Sequence, residues 1–416
     1  MEKVNTVVVG AGQAGIAMSE HLGKNGLSHV VFEREQIADR WRNGRWDSLV
    51  ANGPAWHDRF PGMAFEGFDS NSFVPKDAVA DYLVSYAENI NAPVRGGVAV
   101  TKVQRNNEKR GFLVTTSEGK LEADNVVAAT GAFQNPFIPP LVPENSGITQ
   151  VHSINYRNPQ QLPEGAVMVI GAGSSGVQIA DELHRSGREV YLSVGPHDRP
   201  PRTYRGRDNV WWLGVLGLWD AATMAPGKER FTICVSGAHG GHTVDFRKLG
   251  NQGITLVGMT QAYDNDILTF AQDLKENIAI GDRGYLAMLD QADVYVKRNG
   301  LDLPEEPEAR VFDPDPQCLS DPLGDLNLAE ANVTSIIWAT GFTQDFSWLN
   351  VDAFDEDGRP RHQRGISTEP GIFFLGLPWQ TRRASSFIWG VWHDAREIAG
   401  HISNKLNYLD YYEHSK

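Results

Sequence analysis

Val4-Asn-Thr-Val-Val-Val-Gly10-Ala-Gly12-Gln13-Ala-Gly15 is the stretch that decides the fold. Its continuous apolar run suits a strand buried on both faces of a parallel sheet. Gly10 then permits a tight turn, Gly12 lets a ligand phosphate approach the backbone, and Gly15 lets the next helix pack close to the strand. That helix carries Ile16, Ala17 and Leu22 and closes at Gly23 or Gly26. A second apolar strand, Val30-Val31-Phe32, ends at Glu33, 18 residues beyond Gly15. A carboxylate there accepts bonds from ribose hydroxyls, and the helix start offers free N–H groups to a pyrophosphate. Strand, turn, helix, strand and acid together specify a dinucleotide-binding unit.

The unit recurs. Residues 165–176 read Gly-Ala-Val-Met-Val-Ile-Gly171-Ala-Gly173-Ser174-Ser175-Gly176, offset by 161 residues from the first motif. Leu22 and Gly26 correspond at that offset to Leu183 and Gly187, which marks an internal repeat. The two copies differ at the end of the second strand. Where the first has Glu33, the second has Ser193 or Val194, so no acid stands there to repel a 2′-phosphate. Arg199, Arg202, Arg205 and Arg207 follow, and arginine suits bidentate phosphate binding. The first site is therefore expected to take FAD and the second NADPH rather than NADH. The competing reading pairs these arginines with nearby acids such as Asp198 and Asp208.

Two further segments, 125–131 and 335–341, are apolar strands ending in Ala129-Thr130-Gly131 and Ala339-Thr340-Gly341. A small residue and a glycine at a strand's carboxyl end admit a ligand or a second backbone. Gly371-Ile-Phe-Phe-Leu-Gly376 reads as a returning strand, with a helix expected over Asp394–Ile402. The predicted class is α/β with two Rossmann-like domains, the NADPH domain inserted into the FAD domain. The expected limits are 1–163 and 310–416 for FAD and 164–309 for NADPH, crossing at Pro159–Gly165 and Leu303–Pro316. Gly253-Ile-Thr-Leu-Val-Gly258 is expected to extend the second sheet.

Bulk properties narrow the partners. A chain of 416 residues with 41% hydrophobic and 22% charged residues reads as a soluble protein of more than one domain. The formal net charge of -14 argues against nucleic acid or an anionic membrane. Met1–Thr6 leads straight into the first strand and does not read as a signal peptide. The apolar run Val210–Trp219 is too short to span a bilayer and reads as core or as a pocket wall. Two distant cysteines, Cys234 and Cys318, imply no disulfide framework and fit a reducing cytoplasm. No metal-ligand spacing occurs.

With these motifs in order, the sequence resembles the flavin-containing monooxygenases. The resemblance covers nearly the whole chain. It adds to the fingerprints Trp41-Arg42, Ala51-Asn52-Gly53-Pro54, and His152-Ser153-x-x-Tyr156-x-x-Pro159. One element departs. The family's Phe-x-Gly-x-x-x-His keeps only His152, with Ser146 and Ile148 at the other positions and Gly147 one place off. The resemblance implies FAD contacts from Gln13, Arg34, Arg40, Trp41, Ala51, Val100 and Gly376, and places His152 near NADPH. It implies that Asn52 sets a side-chain amide beside the reactive edge of the flavin. Asn-Gly-Pro is also strong turn chemistry. Trp41 and Trp46 are read equally as flavin neighbours or core, and His57 as an acid–base candidate or a structural loop histidine.

The implied reaction reduces FAD with NADPH, forms a flavin hydroperoxide with dioxygen, and passes one oxygen atom to a small-molecule nitrogen or sulfur centre. Trp211, Trp212 and Trp219 are candidates for an apolar substrate wall. Alternatives are Baeyer–Villiger oxygenation of a ketone or keto acid, and an NADPH oxidase or reductase. A disulfide reductase is disfavoured by the missing Cys-x-x-Cys, and no charged block or interaction tail speaks for a redox sensor. A homodimer is left open.

Overall fold

The structure is a computed structural model, and it describes residues 1–224 and 232–414. The chain opens with β1 (Glu2–Val9), α1 (Gln13–Lys24) and β2 (His29–Glu33). Helix α2 (Lys76–Asn89) leads to β3 (Val94–Gly96), and a meander follows of β4 (Val100–Arg105), β5 (Phe112–Thr116) and β6 (Gly119–Ala128). Val7, Val8, Val126 and Val127 are fully buried, as an apolar run in a covered parallel sheet should be.

The chain then builds a second sheet from β7 (Thr149–His152), β8 (Ala166–Ile170), β9 (Val190–Ser193), β10 (Thr255–Val257) and β11 (Val333–Trp338). All five are parallel, in the order β10-β9-β8-β11-β7. Helix α3 (Ser174–Arg185) joins β8 to β9, and α4 (Leu274–Asn299) precedes the return. The 253–258 segment thus enters this sheet as β10, beside β9.

Strand β12 (Ile372–Phe374) and helix α5 (Ile388–His414) rejoin the first sheet. Strand β6 forks. Its amino half pairs antiparallel with β5, and its carboxyl half pairs parallel with β12. β6, β1, β2 and β3 then run parallel.

Three expectations are corrected. The second sheet draws β7 and β11 from outside 164–309, because each flanks the inserted segment and pairs with β11 or β8. The segment 303–316 is not a crossing; it folds back on α4, where the Tyr285 hydroxyl donates to the Ala309 carbonyl at 2.9 Å. Helix α5 starts at Ile388 rather than Asp394, and Asp394 lies fully buried one and a half turns inside it. Among the described residues no helix is long and apolar enough to cross a membrane.

Helix α1 packs on α5, and this contact carries a pH signature. His21 lies edge-on to Trp392, with ring centroids 4.4 Å apart, and its Nε2 meets the Trp392 carbonyl at 3.1 Å. Burial pushes the His21 pKa down to about 4. Stability gained by keeping this ring neutral is complete above the unfolded value of about 6.5 and is lost as pH falls toward the folded one. The thermal midpoint should therefore drop between about pH 7 and pH 5, and His21→Gln should flatten that slope. An equal slope in the variant would assign the effect to other groups.

Candidate dinucleotide-binding active site

The two glycine turns are built alike. Gly10 has φ +105° and Gly171 has φ +102°, a region that excludes most side chains. A β-carbon on Gly10 would meet the Ala129 carbonyl oxygen at 2.7 Å, and one on Gly171 would meet that of Ala339 at 2.6 Å. The Ala-Thr-Gly segments are thus the ends of β6 and β11, each pressed against the first glycine of its neighbouring strand. The Ala129 and Ala339 amides donate to Val9 and Ile170 at 2.9 Å. Gly15 and Gly176 sit where a β-carbon would overlap the carbonyls of Gly10 and Gly171.

The first cradle fits a dinucleotide. Helix α1 starts with no side-chain cap, leaving its first N–H groups free. Nothing lies within 4 Å of a β-carbon built on Gly12, so the backbone is open to a pyrophosphate. Glu33 is held at the mouth by backbone donors, Ala11 to Oε2 at 2.8 Å and Glu35 to Oε1 at 3.1 Å. The Val98 amide bonds to the Glu33 carbonyl at 2.9 Å, which brings the start of β4 at Val100 to the same edge.

Gln13 ties three segments together. Its Oε1 accepts from Trp41 Nε1 at 3.0 Å, and its Nε2 donates to the Ser386 carbonyl at 3.2 Å, just before α5. Arg40 donates to the Gln134 carbonyl at 2.9 Å, and Gln134 Nε2 reaches Thr130 Oγ1 and the Gly131 carbonyl, both at 2.9 Å. Arg40 also lines a cavity of about 240 Å³ with Gly44, Pro136 and Asn155. Gly376 packs on Ala14 of α1, while Arg34 is exposed. Trp46 is buried in the core beneath the second sheet, and Trp41 is half-buried between the two cores.

The loop 51–58 carries Asn52 to the junction of the two sheets. The Ala51 amide bonds to the Val74 carbonyl at 2.7 Å. Asn52 Oδ1 accepts from Gln178 Nε2 on α3 at 2.9 Å, and its backbone carbonyl accepts from Arg202 at 2.6 Å. Gln178 Nε2 also reaches the Val235 carbonyl at 2.8 Å. A carbonyl only accepts, so the orientation of Gln178 is fixed and Asn52 must offer its oxygen. The Asn52 Nδ2 donor is the side left for a ligand. Asp58 braces the loop, taking the Gly53 amide and His57 Nδ1, both at 2.9 Å. His57 stacks on Trp219 with centroids 5.2 Å apart. His152 is locked as a neutral tautomer: Nε2 donates to the Gly341 carbonyl at 2.9 Å, Nδ1 accepts from Ile154, and burial lowers its pKa.

The second cradle has the same chemistry but a different surface. Helix α3 also starts without a side-chain cap. Over it lies the chain's own segment 232–235. Thr232 stands 3.4 Å from a β-carbon built on Gly173, and Ser174 Oγ donates to the Ile233 carbonyl at 2.8 Å. Ser175 is half-buried beside it. Ser193, in the place of Glu33, is buried and donates to the Gly258 carbonyl at 2.9 Å. Gln178 and the 232–235 segment were outside the sequence-based site. Gln178 follows Gly176 by two residues and was legible as a neighbour, whereas nothing in the order of residues brings 232–235 back.

The arginines expected to bind a 2′-phosphate have other work. Arg199 is 2% exposed and grips Asp282 through Nε at 3.1 Å and Nη2 at 2.5 Å. Arg202 binds Asp208 at 2.6 Å as well as the Asn52 carbonyl. Arg205 binds Asp293 at 2.6 Å, and Arg207 lies over the Trp211 ring. A buried guanidinium needs a fixed counter-charge, and these acids supply it. The indoles of Trp212 and Trp219 donate to the Tyr204 and Val210 carbonyls, so they hold the local core rather than face an open pocket.

Comparisons agree with this architecture. Residues 7–205 match the family model described as pyridine nucleotide-disulphide oxidoreductase. An uncharacterized CzcO-like oxidoreductase of Geobacillus kaustophilus (strain HTA426) is 35% identical over 405 residues, covering 96% of this chain and 99% of that one. A probable indole-3-pyruvate monooxygenase of Arabidopsis thaliana, YUCCA4, is 24% identical over 96% of this chain and 90% of its own. A solved flavin-containing monooxygenase from Stenotrophomonas maltophilia superposes with a TM-score of 0.67 at 20% identity, covering 98% and 100% of the two chains. FAD and NADPH are the cofactor pair these findings support, and the enzyme class is flavoprotein monooxygenase. The chain belongs to the CzcO-like oxidoreductases, within a class B flavin monooxygenase-like branch.

Proposed function

We propose that the protein is an FAD-dependent, NADPH-consuming monooxygenase that transfers one oxygen atom from dioxygen to a nitrogen or sulfur centre of a small molecule. The two β-α-β units act as Rossmann-like domains, the NADPH unit inserted into the FAD unit. Bound FAD, reduced by NADPH, supplies the oxygen-activating chemistry.

The chain's own groups bind, orient and exclude water. The open backbone at Gly12 and the free start of α1 receive the FAD pyrophosphate, and Glu33 the ribose. The end of β6 at Ala129–Gly131, fixed through Gln134 and Arg40, lines the same edge. His152 stays neutral at the domain junction and braces Gly341. Asn52 carries the reading. With Oδ1 held by Gln178, its Nδ2 offers a hydrogen bond toward the flavin's reactive edge, and an amide donates without surrendering a proton. Cys234 is fully buried against the Ala172 carbonyl, and burial raises its thiol pKa, which argues against Cys234 as a thiolate nucleophile.

Rapid mixing of the NADPH-reduced protein with dioxygen tests this. A transient absorbance distinct from both oxidised and reduced flavin is expected. Asn52→Ala should shorten its lifetime by about 100-fold, the usual cost of one lost donor at a developing charge. Immediate return of oxidised flavin with stoichiometric hydrogen peroxide would sink the oxygenase reading.

A further inference from the structure

The two cradles share their glycines yet differ in what lies over them. Gly12 is open, whereas Gly173 is covered by Thr232. The covering segment is held at four points. Thr232–Ile233 pairs in parallel with His197–Asp198, and the Cys234 amide donates to the Asp198 carbonyl at 2.8 Å. Cys234 Sγ donates to the Ala172 carbonyl at 2.7 Å. Ser174 Oγ donates to the Ile233 carbonyl and accepts from the Val235 amide at 3.2 Å. Gln178 Nε2 then latches the Val235 carbonyl, and the same nitrogen holds Asn52.

The Ile233 carbonyl therefore takes from Ser174 the bond that a phosphate oxygen would take at a helix start. Both cannot be there. We propose that residues 232–235 and the pyrophosphate of a dinucleotide compete for the second cradle, with Gln178 as the latch that ties this strap to the Asn52 loop. The proposal rests on reading the second cradle as the NADPH site. The strap is held by a pairing of two residues, by single hydrogen bonds, each of which shifts an equilibrium by roughly 2- to 10-fold, and by burial of the Cys234 side chain in the core. A bound nucleotide has to outweigh these together. Once the strap leaves, Asn52 is the partner that Gln178 keeps, so arrival of the nucleotide releases the active-site loop from the strap and removes the carbonyl that fixes the Gln178 amide.

Hydrogen exchange of the FAD-loaded protein with and without NADP⁺ reads this directly. NADP⁺ should slow exchange over 171–178 and speed it over 232–236. Thr232→Gly and Gln178→Leu should each tighten NADP⁺ binding, measured by calorimetry, by about 2- to 10-fold. Tighter binding is an outcome that misfolding does not produce. If 171–178 slows and 232–236 does not change, or if a folded Thr232→Gly binds NADP⁺ less well, the strap belongs to the site and the competition is overturned. If 171–178 is not slowed at all, the nucleotide reading of the cradle falls with it.

Discussion

Gly15→Ala is expected to yield a protein that neither holds flavin nor folds stably, whereas Gly12→Ala should fold normally and lose flavin alone. The two glycines lie three residues apart in one turn, and the difference between them is spatial. A β-carbon on Gly15 would overlap the Gly10 carbonyl. The obstacle is backbone of the turn itself, already at φ +105°, so neither partner can move without opening the β1–α1 contact. The cost should reach about 4 kcal/mol, the upper range for single substitutions. On Gly12 a β-carbon meets nothing within 4 Å, so folding is untouched, but the methyl enters the space expected for the pyrophosphate. Flavin affinity should fall at least about tenfold, or 1.4 kcal/mol. Thermal unfolding of the apoprotein and titration with FAD separate the two outcomes. Equal loss of stability in both variants would mean that the open space above Gly12 serves packing instead.

The same contrast explains what was legible in the sequence. The turns were legible because glycine spacing and apolar runs are local: β1, α1 and β2, and their repeats β8, α3 and β9, all stand where the periodicity puts them. Ala129-Thr-Gly131 and Ala339-Thr-Gly341 were legible as strand ends, but not the strands they join. Only the pairing of β11 with β8 reveals that Ala339 closes the second turn. The start of α5 was missed because Ile388 to His393 is aromatic-rich and carries Gly390, and because Phe387, not Ser386, stands immediately before it. Partners distant in sequence were not legible at all. Gln178 meets Asn52 across 126 residues, and Ser174 meets Ile233 across 59.

The arginines show the cost of reading charge without its partners, and they yield the second large effect. Asp282→Ala is expected to destabilise the protein by about 3–5 kcal/mol while leaving the NADPH-to-NADH ratio of kcat/KM unchanged. Asp282, on α4, is 7% exposed and binds Arg199 at 2.5 Å and Arg247 at 2.6 Å. Removing it strands Arg199 between the Tyr285 and Phe312 rings, with Asp245 3.9 Å away as its remaining acid. A stranded buried charge is far more costly than a missing pair. Arg199→Met in the same background should therefore recover part of the loss, because a thioether of similar length fills the aromatic slot without a charge. Chemical denaturation measures both steps. If Arg199 instead gripped a 2′-phosphate, Arg199→Met alone would lower NADPH turnover relative to NADH and the double variant would regain no stability. The paired geometry predicts the opposite on each count: coenzyme preference rests elsewhere, and these guanidinium groups fasten α4 to the edge of the second sheet.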